Sequence, residues 1–449
     1  MKINVGMISL GCSKNQVDAE RMLALLAEDG FTICGDISEC DAVIVNTCGF
    51  IEDAKKESIE SIFEAASQKS GRLKVLAVTG CLAERYQQEI ASEIPEADVI
   101  LGMGSIGEIA SAIRKSLAGE RVISFGPKSA LPLEGGRILA NAPYFAYLKV
   151  AEGCNNHCAY CSIPDIRGPF RSRKMEDIVA EAERLAAAGV TELNVVAQDT
   201  TRYGLDLYGK LMLPELLRRL CRIGKVHWVR VLYCYPDSTT DELLDVIAEE
   251  PKIVKYIDLP LQHIDDGVLS RMHRRGSSAE VLALLEKIRL RIPGVAIRTT
   301  LIAGLPGETE KEFETLCDFV RDQAFERLGC FAYSKEEGTP AAEMPDQLDE
   351  ETKRRRADHI MELQMDVAAQ VAHALVGTKQ EVLCEGWDDE AGCWVGRGQS
   401  DAPDIDTKVY FTGEKTLLPG DYVMVEITGS DAYDVTGEQV EESLYEFAK

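Results

Sequence analysis

Short apolar runs alternate with amphipathic segments between Lys2 and about Gly126: INVGMISL, a helix-patterned stretch Val17 to Ala27, DAVIVNTC, Ile51 to Ala66, KVLAVTGC, and Ala83 to Ile94. Runs of strand length separated by helical periodicity predict a parallel α/β sheet. Lys128 to Pro143 (KSALPLEGGRILANAP) breaks the rhythm with Gly and Pro and reads as a linker. Six further strands are predicted at Tyr144 to Val150, Leu193 to Ala197, Trp228 to Cys234, Tyr256 to Leu261, Ala296 to Ala303 and Leu328 to Tyr333. Helical patterns separate them; the first puts Ile178, Ala182, Leu185 and Ala186 on one face and stops at Gly189. Six strand and helix units fall short of the eight that close a β/α barrel, so a partial, TIM-like (β/α)6 barrel is expected, ending in a long helix from Glu350 to Leu375. Beyond Gly377 the apolar period becomes two, at Gln380 to Cys384, Thr407 to Phe411 and Asp421 to Thr428, which predicts a small antiparallel β-barrel. The expected class is α/β: an N-terminal sheet domain at 1–127, a linker at 128–143, the partial barrel at 144–375 and the β-barrel at 376–449.

The 449 residues suit about three domains, and 45% hydrophobic with 28% charged residues is the composition of a soluble globular chain. No apolar run nears the roughly 18 residues of a membrane span, and the start MKINVGMISLGCSKN has no signal-peptide pattern. A cytoplasmic protein with no membrane partner is expected. Lys and Arg total 49 against 75 Asp and Glu, a net charge of -26, which argues against a broadly basic nucleic-acid surface and permits a cationic partner. Fourteen cysteines without a secretory signal point to thiolate ligands rather than disulfides.

Cys154, Cys158 and Cys161 lie within EGCNNHCAYC, directly after the first barrel strand. Loops at strand C-terminal ends form the active face of a β/α barrel. Three thiolates on one tight loop can hold three irons of a 4Fe-4S cluster and leave the fourth open. The alternative, a closed zinc site, wants a fourth ligand, and the neighbouring His157 is badly spaced to chelate jointly with Cys158. Cys12, Cys48 and Cys81 are far apart in sequence, yet each ends a predicted strand (MISLGC, VIVNTC, VTGC). In a parallel sheet those ends share one edge. No histidine precedes His157, so a protein-only zinc site here would need a carboxylate, Cys34 or Cys40; a second three-cysteine cluster is the better reading. Cys34, Cys40, Cys221, Cys234, Cys317, Cys330, Cys384 and Cys393 read as packing residues.

The CxxxCxxC run resembles the signature of the radical S-adenosylmethionine (SAM) superfamily, in which the aromatic at Tyr160 lies near the adenine. Two open-site clusters, one in an α/β domain and one in such a barrel, resemble the methylthiotransferase family, and the C-terminal barrel is similar to its TRAM domain. The resemblance implies two 4Fe-4S clusters and SAM as cofactors. The barrel cluster would reduce SAM to methionine and a 5'-deoxyadenosyl radical; the N-terminal cluster would carry sulfur that a second SAM methylates. An electron donor and a sulfur donor are implied as partners. Gly304, Gly307 and Glu308 in LIAGLPGETEKEF either approach SAM through a backbone turn or form an ordinary strand-to-helix turn. Gln198 and Asp199 end a strand on the active side. Arg167 and Arg173 are either carboxylate partners or solvated loop residues, His263 reads as a satisfied barrel residue, and Asn46 as a helix cap.

The family divides into enzymes acting on a tRNA adenosine and a branch acting on an aspartate of small-subunit ribosomal protein S-twelve. From Val376 to Lys449, five basic residues face seventeen acidic ones, a net charge of -12 that would repel phosphates and suits a strongly basic protein. ISLGCSKNQVDAE, AQDTTRYGLD and the tract Asp401, Asp404, Asp406 resemble the ribosomal-protein branch. Two rival readings stand at this point: a tRNA methylthiotransferase, and a non-catalytic iron-sulfur or zinc module.

Overall fold

The computed structural model describes residues 2–414 and 416–441. The N-terminal sheet is parallel throughout, in the order β2 (Thr32–Ile33), β1 (Asn4–Ser9), β3 (Ala42–Thr47), β4 (Val75–Gly80), β5 (Val99–Leu101), β6 (Val122–Ser124). Every residue of β3 (AVIVNT) and β4 (VLAVTG) is buried, because helices cover both faces of the sheet. Strands β2, β5 and β6 are too short to leave a periodic signal. The helix expected from Ala83 to Ile94 is two helices, Cys81–Arg85 and Gln87–Glu93, broken at Tyr86.

The second sheet is also parallel, in the order β7 (Phe145–Lys149), β10 (Glu192–Val196), β11 (Trp228–Val231), β12 (Ile253–Asp258), β13 (Ala296–Ala303), β14 (Arg327–Ala332); β8 (Ala151–Glu152) and β9 (Arg171–Ser172) form a separate small ribbon. Alternate residues face opposite ways. Ala146, Leu148, Leu193, Val195, Val229 and Val231 pack under the outer helices, whereas Tyr147, Val196, Trp228, Tyr256 and Ala296 form an inner cluster spanning five strands. This is the partial (β/α)6 barrel, and the long helix Glu350–Ala374 packs against it.

The C-terminal domain is a closed barrel of β15 (Lys379–Asp388), β16 (Cys393–Gly398), β17 (Val409–Thr412), β19 (Val435–Gln439) and β18 (Tyr422–Ser430), in that order. It is not purely antiparallel, as the pattern suggested: β17 and β19 pair in parallel. A closed ring of five strands cannot alternate direction all the way round, so at least one pair must be parallel. The loop after β16 plugs the barrel end at which the β10, β11 and β12 strands begin. Arg397 pairs with Glu192, Arg230 donates to Gln399 O (2.6 Å), Arg327 to Asp401 (2.5 Å), and Tyr256 Oη to Asp406 (2.7 Å). Asp401 and Asp406 are therefore internal locks and not surface acids; of the tract, Asp404 alone is exposed.

Residues 128–143 have little regular structure but are not a loose tether. Arg137 donates to Glu20 and, at 2.7 Å, to Glu181; Arg173 also donates to Glu181 (2.6 Å), and Arg21 lies 3.5 Å from it. Burial raises the Glu181 carboxyl, but Arg173, Arg137 and Arg21 outweigh it and hold the group at about 2, against an ordinary 4.5. A depressed folded value contributes stability above the unfolded one that is lost as pH falls through the folded one. Thermal unfolding midpoints should thus fall between pH 4.5 and 2, and Glu181→Gln should flatten that slope while costing about 3–5 kcal/mol at neutral pH by stranding buried arginines. Unchanged slope and midpoint in calorimetry would refute this.

Candidate functional site

The three barrel thiols sit where the chain leaves β7, at the strand C-terminal mouth and opposite the C-terminal plug. Gly153 permits the tight path: its φ is +77, and a Cβ there would meet Pro169 O at 2.3 Å. Backbone N–H groups of Asn156 and Ile163 point at Cys154 Sγ (3.4 Å) and Cys161 Sγ (3.5 Å). Cys158 Sγ lies 3.4 Å from Tyr235 Oη and 3.9 Å from Arg274, whose guanidinium stacks on the Tyr235 ring at 4.0 Å. Burial pushes the Cys154 thiol up to about 11 and Cys161 higher still, so these thiols would ligate only where a bound metal drives their ionisation.

Around this loop several polar atoms are buried without partners. Gln198 donates to Glu152 (3.0 Å) but leaves its Oε1 free; Asn156 donates to Asp199 (2.8 Å) but leaves its Oδ1 free. Asn194, on the inner face of β10, leaves both amide atoms unpaired. Sequence reasoning passed over Asn156 and Asn194; the available signal was a polar residue inside the apolar strand ELNVV. Tyr160 packs beside Ala159, Val268, Met272 and Leu305. Gly304 has φ +84, and its face is covered by Lys353, where a Cβ would sit 2.7 Å from Cγ. Glu308 accepts the Gly304 N–H (3.0 Å) and Arg356 Nη1 (2.7 Å), with His263 Nε2 at 3.5 Å. Its carboxylate is occupied within the protein, so Glu308 holds the turn.

Cys12, Cys48 and Cys81 follow β1, β3 and β4, three neighbouring strands of the first sheet. Cys12 is the N-cap of helix α1 (Ser13–Glu28), and Cys81 opens the helix after β4. Gly11, at φ +89, lets the loop close onto Cys48, whose Sγ would lie 3.0 Å from an added Cβ. Asn46 does not cap a helix: it donates to Asn15 O (2.9 Å), while Asn15 donates to Leu10 O (2.8 Å), pinning α1 to β3. Arg167 and Arg173 are buried network residues and not solvated ones. Arg167, on the short helix Ile163–Arg167 just past Cys161, donates to Cys81 Sγ (3.3 Å), Asn15 Oδ1 (3.0 Å) and Asp18 Oδ2 (2.5 Å). Burial raises the Cys12 thiol, but Lys14, Arg167 and the N–H groups of Asn15 and Lys14 outweigh it and hold it below its ordinary value. Burial wins at Cys81, pushed up to about 12.

Among the described residues no three Cys, His, Asp or Glu side chains gather tightly enough for a single metal ion. Thiols spread over adjacent strand ends suit a polynuclear cluster, whose ligands occupy separate corners. Beside Cys12 opens a cavity of about 530 Å³ lined by Gln16, Asn141, Tyr144, Glu385 and Asp404, so all three domains border it.

A parallel partial barrel with a three-thiol loop at its active mouth defines a radical SAM enzyme, and residues 148–320 match the model described as the radical SAM superfamily. Residues 4–102 match "Uncharacterized protein family UPF0004" and residues 376–440 the TRAM domain. The chain is 50% identical over 436 residues to "Ribosomal protein uS12 methylthiotransferase RimO" of Caldanaerobacter subterraneus subsp. tengcongensis, covering 97% of this chain and 99% of that one. It is 50% identical to the protein of the same name from Pelotomaculum thermopropionicum, covering 98% and 100%. The chain belongs to this methylthiotransferase family. Among solved structures, the radical SAM methyltransferase TsrM from Kitasatospora setae, with cobalamin and a 4Fe-4S cluster bound, has a TM-score of 0.56 at 15% identity, covering 85% of this chain and 81% of that one. That likeness is one of fold. No helix among the described residues is long and apolar enough to cross a membrane.

Proposed function

We propose that the chain replaces a hydrogen on the β-carbon of an aspartate of ribosomal protein uS12 with a methylthio group, using one 4Fe-4S cluster at Cys154, Cys158 and Cys161 and another at Cys12, Cys48 and Cys81. When bound, the clusters and SAM supply the electron, the hydrogen-abstracting radical and the sulfur. The residues of the chain position these groups. The observation that carries the reading is Arg167: a residue of the barrel, six positions past its last thiol, donates to Cys81 of the other thiol set. The segment that carries the barrel thiols thus also touches the other thiol set, as a reaction that combines their products on one atom requires.

The free Gln198 Oε1 and Asn156 Oδ1 are acceptors suited to the ammonium or ribose hydroxyls of SAM, with Tyr160 packed beside the loop as its apolar wall and Gly304 and Glu308 holding the neighbouring turn. The exposed acids Asp389, Glu390, Asp404, Glu426, Asp431 and Glu438 give the C-terminal domain a face suited to a basic protein rather than to tRNA. The reaction belongs in the cytoplasm and draws on an electron donor and a sulfur donor.

The test is anaerobic reconstitution, reduction with SAM present, and mass spectrometry of uS12 and tRNA side by side. One added methylthio group on a uS12 aspartate is expected; methylthioadenosine in tRNA with unmodified uS12 would overturn the substrate. The variant lacking Cys12, Cys48 and Cys81 should hold about half the iron, still cleave SAM and form no methylthio product. Full product yield from that variant would reject the assignment of those thiols.

A further inference from the structure

Lys14 is a buried cation without a carboxylate. It is 6% exposed, in the first turn of α1, and its ammonium lies 3.2 Å from the centre of the Tyr233 ring. The contact is with the ring face, and no Asp or Glu among the described residues lies within ion-pairing distance. The acidic groups that act on it are the Cys12 thiol and, less strongly, Asp258, whose carboxylate is already taken by the Tyr233 N–H (2.8 Å) and Arg298 (2.9 Å). In the same turn, Ser13 Oγ is buried without any partner. The other buried cations of this region are matched: Lys149 pairs with Asp18 and Glu152, and Arg167 with Asp18 and Glu152. Desolvating an ammonium is costly unless anions compensate it, so one without a carboxylate partner marks a place that an anionic ligand would complete.

Its position says which ligand. Lys14 is two residues from Cys12 of the first thiol set. Its partner Tyr233 is two residues from Tyr235, whose hydroxyl touches Cys158 of the second set. The ammonium is thus linked to both thiol sets, to Cys12 through the first turn of α1 and to Cys158 through the short segment from Tyr233 to Tyr235. A carboxylate bound there would place the carbon next to it between both sites, where hydrogen removal and sulfur delivery must meet. We infer that Lys14, with the free Ser13 hydroxyl and the N-terminus of α1, binds the side-chain carboxylate of the substrate aspartate and so selects Asp at the methylthiolated position. This rests on the uS12 aspartate reading and adds to it the residue that recognises the reacting side chain.

The experiment is a double-mutant cycle on the reconstituted, full-length enzyme. Wild type, Lys14→Met and Lys14→Arg are each measured with uS12 and with uS12 whose target aspartate is replaced by asparagine, recording uS12 affinity, kcat/KM, SAM affinity, iron content and the EPR spectrum of the reduced clusters. Lys14→Met should lower kcat/KM for uS12 about 30-fold or more and lose the preference for Asp over Asn, while Lys14→Arg keeps part of that preference. Iron content, EPR spectrum and SAM affinity should stay at wild-type values. An altered EPR spectrum with unchanged Asp preference would make Lys14 a counter-charge to the thiol site and overturn the inference. A fall in SAM affinity with unchanged Asp preference would assign it to the SAM carboxylate and overturn it likewise. Should Lys14→Met lose iron or fail to fold, Lys14→Arg carries the test: a reduced but retained Asp preference with wild-type iron supports the carboxylate contact, and an undiminished uS12 affinity and preference refutes it. Wild-type enzyme that modifies tRNA and leaves uS12 untouched overturns the substrate reading and this inference together; wild-type activity on uS12 with an intact Asp preference in Lys14→Met overturns this inference alone.

Discussion

Replacing Cys154, Cys158 and Cys161 together with alanine will abolish reductive SAM cleavage and leave the N-terminal thiol set loaded. The three thiols lie on one loop after β7, and no other described cysteine belongs to that loop. The protein backbone should survive the change, because the loop is anchored by other bonds: Cys154 N–H to Gly168 O (3.1 Å), Ala159 N–H to Met272 O (2.9 Å), and Ala341 N–H to Ala159 O (2.8 Å). None of these needs a thiol. Half of the iron is expected to remain, held by Cys12, Cys48 and Cys81 on another sheet. Anaerobic reduction followed by quantification of 5'-deoxyadenosine decides the matter. Wild-type yields from the triple variant would remove the barrel loop from the reaction.

The second large effect is expected at Arg167. Its guanidinium is 1% exposed and reaches Asp18, Glu152, Asn15 and Cys81, joining α1, β8 and the helix after β4. Burial lowers the affinity of such a group for its proton, but Cys81, Glu152 and Asp18 reverse this, so it is held firmly as a cation. In Arg167→Leu, Asp18 and Glu152 would share only Lys149. Removing one partner of a buried charge network costs about 3–5 kcal/mol, because the remaining charges stay desolvated. Arg167→Lys should recover little, since a point charge cannot serve four acceptors in separate directions. Urea unfolding should show the loss, and the N-terminal site should bind less iron than the wild type. A variant with the wild-type midpoint and full iron would show that the network tolerates the gap and that the two domains are held together elsewhere.

The corrections to the sequence reading share one cause. Arg167 and Arg173 carry nothing in their local sequence that separates a solvated loop arginine from a buried one. Their partners Asp18, Asn15, Cys81, Glu134 and Glu181 come from other segments, and most lie tens of residues or more away. In the sequence, Asp401 and Asp406 count among the seventeen acids whose charge suits a basic partner, because acids in Gly and Pro-rich loops are usually solvated. Only the docking of that loop into the barrel, against Arg327, Arg298 and Tyr256, turned them into locks. The parallel pair β17 and β19 follows from ring closure, which no strand pattern records.

The sequence by itself determined the placement of the thiols: Cys154, Cys158 and Cys161 on one loop by their spacing, and Cys12, Cys48 and Cys81 at strand ends because each follows an apolar run of strand length. It also determined the two parallel sheets, since period and run length are local properties. The tertiary structure decided which charges are matched. It alone joined Arg167 to Cys81, left Lys14 facing Tyr233 without an acid, and left Gln198, Asn156 and Asn194 with open hydrogen-bonding atoms. The reason is physical: whether a polar group is satisfied depends on what the rest of the chain brings within about 3 Å of it once water is excluded, and that is fixed only when distant segments pack.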